Sequence, residues 1–115
     1  MDKAIPYLKQ RLIDELEMLS SEKAQLNYEH SVPHVDITRE LICGWFDDIY
    51  QPDDSQFTSC FTKTELALLA AFHQFYNESL SHLPDSKGTV CTWHMNSAWR
   101  EIMNEASRTL QKLKA

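Results

Sequence analysis

The sequence predicts an all-α fold, a compact bundle of about four main helices in a single domain over residues 1–115. Apolar residues recur at intervals of three and four, which is the period of a helix that packs one face against a core. Only 2 glycines and 4 prolines occur in 115 residues, which leaves little material for hairpin turns. An apolar content of 43% is typical of a globular protein rather than a disordered one.

The sequence pattern at residues 63–83 predicts a central helix around which the other helices are arranged. Thr62 and Glu65 have the spacing of a capping box, in which each side chain satisfies a free backbone N–H at the helix start. Phe61 and Leu66 have the spacing of the accompanying hydrophobic staple. Apolar residues cover a wide arc of this helix, so it requires neighbours on several sides. The stripe that follows the helical period consists of Leu66, Leu69, His73, Tyr76, Leu80 and Leu83, and an adjoining face adds Leu68, Phe72 and Phe75.

The N-terminal segment predicts an amphipathic helix that begins near Pro6 and continues to about Tyr28. Proline is tolerated in a first helical turn, and an apolar stripe follows it. Ser20 and Ser21 either break the helix or lie within it; a single helix, straight or bent, is favoured because apolar character continues beyond them. The stripe consists of Ile5, Leu8, Leu12, Leu16 and Leu19.

Residues 31–34 predict a loop, because the residue before a proline is pushed out of the helical region. A helix over residues 37–50 follows, with Asp36 or Thr38 as its cap. Gly44 inside it costs roughly 1 kcal/mol relative to alanine, and we expect it to allow close approach of a neighbouring helix. The buried stripe consists of Leu41, Ile42, Trp45, Phe46 and Ile49.

The C-terminal part predicts a turn at residues 83–88, where proline, aspartate, serine and glycine follow one another, and then a last helix. Residues 89–93 fit either a short extended piece or the first turn of that helix. Basic residues near its end complement the negative end of the helix dipole. The apolar stripe consists of Trp99, Ile102, Met103, Ala106, Leu110 and Leu113, and the basic residues are Arg108, Lys112 and Lys114.

Charge and cysteine usage restrict the classes of partner and compartment. The formal net charge of −6 disfavours direct nucleic-acid binding and favours a basic protein partner. The three cysteines are widely spaced and odd in number, which argues against a disulfide framework and favours the cytoplasm. We expect no signal peptide and no membrane span, since no apolar run is long enough. The oligomeric state is left open.

The residues that could carry chemistry form no catalytic motif, so we expect no enzymatic activity and no cofactor. Cys91 and His94 have the spacing of half a zinc site, but a structural site needs four ligands. Glu78 and His82 are four positions apart and could chelate a metal from one helix face. His73 lies on the apolar arc of the central helix, where a histidine is more often a hydrogen-bonded core residue than a catalytic base. A small helical metal-binding protein or enzyme that uses His73, Glu78, His82 or His94 is the alternative function.

The acidic stretch between Arg39 and Lys63 is the most unusual feature. It contains no basic residue and five carboxylates: Glu40, Asp47, Asp48, Asp53 and Asp54. Paired carboxylates are disfavoured at the C-terminal end of a helix dipole, which suggests a role beyond helix stability. Acidic groups around aromatic anchors steer a basic partner and raise its on-rate. The predicted partner-binding residues are Trp45, Asp47, Asp48, Tyr50, Asp53 and Asp54; a solvated acidic loop, with Trp45 in the core, is the other interpretation.

The acidic aromatic segment at residues 45–54, with Trp93 and Trp99, resembles bacterial toxin-immunity proteins, including those of contact-dependent growth inhibition systems. The small size, helical pattern and absence of catalytic motifs are also similar to that group. The resemblance implies a stoichiometric inhibitor whose acidic surface covers the basic RNA- or DNA-binding cleft of a toxic nuclease domain.

Overall fold

The computed structural model describes residues 6–83 and 89–114, and within these two ranges it contains helices and turns but no β-strand. The all-α prediction is confirmed. The α-helices are α1 (Tyr7–Ser20), α2 (Glu22–Ser31), α3 (Ile37–Gly44), α4 (Ser55–Thr58), α5 (Lys63–Ser79), α6 (Val90–His94) and α7 (Ser97–Lys114). A π-helical turn, Trp45–Ile49, continues α3 without a break and is called the π turn below, and a 3₁₀ turn, Leu80–His82, continues α5.

The helices pack around one apolar core. The last helix, α7, packs against α1, α5 and α6, whereas α7 is the only α-helix that α5 contacts extensively among the described residues. The helix with neighbours on several sides is therefore α7 rather than the predicted α5. The sequence pattern of α7 is confirmed, since every apolar position of its predicted stripe is buried except Leu110, which is half-buried. The largest fully buried side chains of the core include Trp45, Trp99, Tyr76, Phe57, Phe72 and Leu69.

The prediction of a single N-terminal helix is wrong, because the chain breaks at Ser21. This residue is extended (φ −118°, ψ 111°), and its side chain accepts a hydrogen bond from the Ala24 backbone N–H at 3.0 Å to cap α2. Gln25 is fully buried, and its Nε2 donates to the carbonyl oxygens of Met18 (3.0 Å) and Leu19 (3.1 Å) at the end of α1. The break is stable because those terminal carbonyls, which a helix leaves unpaired, find a donor.

The predicted start of α5 is confirmed. The Thr62 side chain accepts from the Glu65 N–H, and the Glu65 carboxylate accepts from the Thr62 N–H at 2.8 Å, which completes the capping box. The other Glu65 oxygen accepts from Lys9 Nζ at 2.9 Å and ties α5 to α1. Burial raises the pKa of Glu65, but the hydrogen bonds from Lys9 and Thr62 outweigh burial and lower it below the usual value.

The helical segment predicted at residues 37–50 is present as α3 and the π turn, and it ends one residue early, at Ile49. Its cap is Asp36, which accepts from the Arg39 N–H at 3.3 Å. Gly44 lies against α1, where a carboxyl oxygen of Glu15 is 3.6 Å from the position of an added Cβ. The absence of a side chain at Gly44 therefore leaves room for a group of a neighbouring helix.

The connection to α7 is helical. Thr89 caps α6 through a hydrogen bond that its side chain accepts from the Thr92 N–H at 3.3 Å, so residues 90–93 belong to a short helix rather than an extended piece. The predicted turn at residues 83–88 lies outside the described residues except for Leu83, which follows the 3₁₀ turn.

Candidate interaction surface

The π turn determines how the acidic segment is presented. The Tyr50 N–H donates to the carbonyl oxygen of Trp45 at 3.1 Å, which closes a wider turn than an α-helix makes. Single π turns inside helices occur frequently at functional sites. The turn directs Trp45 into the core and leaves Asp47 and Asp48 exposed.

The two aromatic residues predicted as partner anchors, Trp45 and Tyr50, lie in the core. Trp45 has no exposed surface and Tyr50 is 8% exposed, so neither presents an apolar side chain to a partner. Their rings stack in parallel with centroids 5.2 Å apart, and Tyr50 also meets Phe57 edge to face at 5.8 Å. The Trp45 indole Nε1 donates to His73 Nδ1 at 3.2 Å, which connects this layer to α5. These aromatics support the acidic segment from beneath.

The four aspartates of the predicted site are all exposed. The carboxylate of Asp48 accepts from Arg11 Nη2 at 2.6 Å, and that of Asp54 accepts from the Gln56 N–H at 2.9 Å to cap α4. Within residues 6–83 and 89–114, Asp47 and Asp53 have no side-chain hydrogen bond or ion pair. Asp48 and Asp54 thus each make an intramolecular hydrogen bond, whereas the carboxylates of Asp47 and Asp53 contact only solvent among the described residues.

The polar groups beneath the acidic segment are neutral near pH 7. Burial, followed by the nearby Asp53 carboxylate, raises the pKa of the Tyr50 hydroxyl. Burial lowers the pKa of His73, whose Nδ1 must be unprotonated to accept the proton of Trp45. The contact between the π turn and α5 is consequently a neutral hydrogen bond at neutral pH.

The residues of the alternative metal or catalytic site are held in separate environments. His73 contacts the aromatic layer, whereas His94 is buried and its Nε2 lies 2.9 Å from Gln25 Oε1. Glu78 is exposed and accepts from Gln74 Nε2 at 3.3 Å, and His82 is exposed. Among the residues that the structure describes, no group of three or more His, Cys, Asp or Glu side chains is placed to hold a metal ion.

Sequence reasoning missed a buried polar network centred on Gln25. Because its Nε2 faces the α1 carbonyls, its Oε1 accepts from both Trp99 Nε1 at 3.2 Å and His94 Nε2. His94 is therefore the Nε2–H tautomer, and its Nδ1 lies 3.8 Å from the carboxylate of Glu22. Burial lowers the pKa of His94, with Glu22 opposing that effect. The sequence feature that could have predicted the start of α2 is Ser21 followed by Glu22, because serine at the cap and glutamate in the first turn are typical of a helix start.

Comparison of the chain with protein-family models, curated proteins and solved structures finds no match. None of the helices in the described ranges combines the length and apolar character that a bilayer span requires.

Proposed function

We propose that this protein binds and neutralises a basic protein partner, in the manner of an immunity protein that blocks a toxin domain such as a nuclease. The observation that supports it is the exposure of Asp47, Asp48, Asp53 and Asp54 on one segment that contains no basic residue. A basic nucleic-acid-binding cleft is the complementary surface, because opposite potentials steer association and exclude wrong partners. The cytoplasm is the compartment in which such a toxin meets its substrate.

The rigid base of the segment supports this proposal. Trp45 and Tyr50 stack on one another, and Phe57 packs on Tyr50, so the backbone that carries the aspartates is held before a partner arrives. Asp54 caps α4, which holds the second aspartate pair in place. A preorganised surface loses less conformational entropy on binding than a mobile loop of the same charge.

The first experiment is a tagged pull-down from the native host at low and at high salt, with mass spectrometry of the retained proteins. We expect a small basic protein in near-equal amount, retained less well at high salt because exposed charges are screened. Its activity, measured with and without this chain, then tests inhibition. Recovery of the chain alone at both salt concentrations contradicts a partner that is made in the same cell.

Charge reversal tests the predicted surface. We expect Asp47→Lys combined with Asp53→Lys to lower the on-rate for the partner at least about tenfold at low salt, because steering is lost. These two positions avoid the ion pair and the cap that Asp48 and Asp54 provide. The matched control is Glu78→Lys combined with Glu101→Lys, two exposed positions with the same total charge change. Equal on-rates and equal salt dependence for the two double variants would rule out the acidic segment as the interface.

A further inference from the structure

Glu15 is a half-buried acid of α1 that lies in the contact between α1 and α3. Its carboxyl oxygens are 3.6 and 3.9 Å from the position that a Cβ of Gly44 would occupy. Its Oε2 is buried and has no hydrogen-bond partner among the described residues. An ionised carboxylate there loses water without gaining a donor, which costs free energy.

A groove gives this acid a path to solvent. The groove is open, has a volume of about 300 Å³ and runs beside α1, α2 and α3. Its lining is Arg11, Asp14, Glu15, Met18, Tyr28 and Leu41. A proton can therefore leave the Glu15 carboxyl for water without unfolding of the chain.

Arg11 is the cation that can respond to the charge of Glu15. It lies one helical turn before Glu15, at the spacing of four residues at which opposite charges on a helix attract. Its Nη2 instead donates to Asp48 Oδ2 of the π turn at 2.6 Å. Asp48 and an ionised Glu15 are thus competing acceptors for a single guanidinium.

The other helices contribute few charges to this contact. Besides Arg11 and Asp48, the titratable groups near Glu15 are Asp14 of α1, Tyr28 of α2, Cys43 of α3 and Tyr76 of α5. The Tyr76 hydroxyl is buried, and the nearby Glu15 is one cause, after burial, that raises its pKa well above the usual value. The buried face of α7 is mostly apolar, and its Lys114 is paired at 3.1 Å with Glu17, which lies two residues after Glu15 on α1.

We propose that Glu15 is a pH-dependent switch of the contact between α1 and the π turn. Neutral Glu15 leaves Arg11 bonded to Asp48; when the carboxyl releases its proton to solvent, the carboxylate draws Arg11 away and frees Asp48. Burial is the main cause that raises the pKa of Glu15 to about 7; Arg11 opposes this effect and Asp48 adds to it. The ionised fraction rises from about one tenth at pH 6 to about nine tenths at pH 8.

The direction of the effect on stability follows from proton binding. The folded chain holds the Glu15 proton up to about pH 7, whereas an unperturbed glutamate titrates near 4.5. The folded state therefore binds more protons between these values, and stability falls as the pH rises from 4.5 to 7. Above pH 7 this contribution is level, because both states are ionised.

The switch is tested first in the unchanged protein by a ¹³C NMR titration of its side-chain carboxyls. We expect Glu15 to titrate near pH 7 and the Asp48 carboxyl to show a second chemical-shift change at the same midpoint, because Arg11 leaves it. Backbone amide protection at residues 45–50, corrected for the intrinsic exchange rate, should fall about two- to fivefold between pH 6 and pH 8, the size expected when one largely exposed ion pair is lost. Titration of Glu15 below pH 5 would overturn the proposal without any variant.

Two substitutions complete the test. Glu15→Gln keeps the size of the side chain but cannot ionise, so amide protection at residues 45–50 should stay constant from pH 6 to pH 8. Glu101→Gln, an exposed position on α7, should follow the unchanged protein. If Glu15→Gln retains the loss of protection seen in the unchanged protein, another group is responsible and the switch is excluded.

Discussion

At the scale of single residues, the buried amide of Gln25 determines where α1 ends. A glutamine is rarely free of solvent unless all of its donors and acceptors are paired. Here Gln25 Nε2 donates hydrogen bonds to two backbone carbonyl oxygens, and Gln25 Oε1 accepts hydrogen bonds from Trp99 Nε1 and His94 Nε2. An apolar residue of the same size could fill the space but would leave the Leu19 carbonyl oxygen, Trp99 Nε1 and His94 Nε2 without this partner. The Met18 carbonyl oxygen would keep only the Ser21 N–H at 3.4 Å.

We predict that Gln25→Met lowers the free energy of unfolding by about 3–5 kcal/mol, because several buried polar groups lose partners at once. Urea unfolding measures the change. Gln111→Met is the matched control, since Gln111 is exposed on α7, and it should change stability by less than about 0.5 kcal/mol. A loss at position 25 no greater than at position 111 would mean that the network contributes nothing.

At the scale of helices, sequence pattern predicts those elements whose signal is local. The capping box of α5 and the apolar stripe of α7 depend on residues within a few turns of one another, and both are confirmed. The break between α1 and α2 depends on the hydrogen bonds that Gln25 makes to the end of α1 and to Trp99 of α7. The spacing of apolar residues at three and four positions gives no information on such long-range contacts. The apolar pattern also does not distinguish the π turn from an α-helix. The hydrogen bond of the π turn joins residues five apart, whereas those of an α-helix join residues four apart.

We predict that Ser21→Ala lowers the free energy of unfolding by about 1 kcal/mol, because the first turn of α2 loses its capping oxygen. Ser20→Ala is the neighbouring control. Ser20 lies inside α1 and donates to the Glu17 carbonyl oxygen at 3.1 Å, and alanine is the better helix former, so its effect should be within about 0.5 kcal/mol. Thermal unfolding followed by circular dichroism separates the two; equal effects would show that Ser21 is not an effective cap.

At the scale of the whole molecule, the position of the acidic segment was predictable and the role of its aromatics was not. Acidic side chains in a stretch that contains no basic residue are expected at the surface in most folds, because burying an unpaired carboxylate is costly. From the sequence, Trp45 and Tyr50 could equally be exposed or buried. They are buried in the structure because α5 packs Phe72 against Trp45 and His73 against Tyr50. The choice between anchor and support therefore required the tertiary structure.

We predict that residues 1–115 unfold in one cooperative transition, since a single core joins α1, α5 and α7. Far-ultraviolet circular dichroism, which reports helices, and near-ultraviolet circular dichroism, which reports the buried tryptophans, should give the same urea midpoint. Gln111→Met, with its predicted small effect, should keep the two midpoints together. Two separate midpoints would indicate that part of the chain folds independently.

The packing of α1 on α7 has a consequence for biosynthesis. Ser97 follows Ser20, the last residue of α1, by 77 positions, so α1 leaves the ribosome roughly 4 to 15 s before α7 begins to emerge. During that interval Leu12, Leu16 and Leu19 lack the helix that covers them, and Gln25 lacks its partner Trp99. Until α7 has been made, the nascent N-terminal half therefore exposes apolar side chains that the folded chain buries, which is the condition under which partly made chains aggregate.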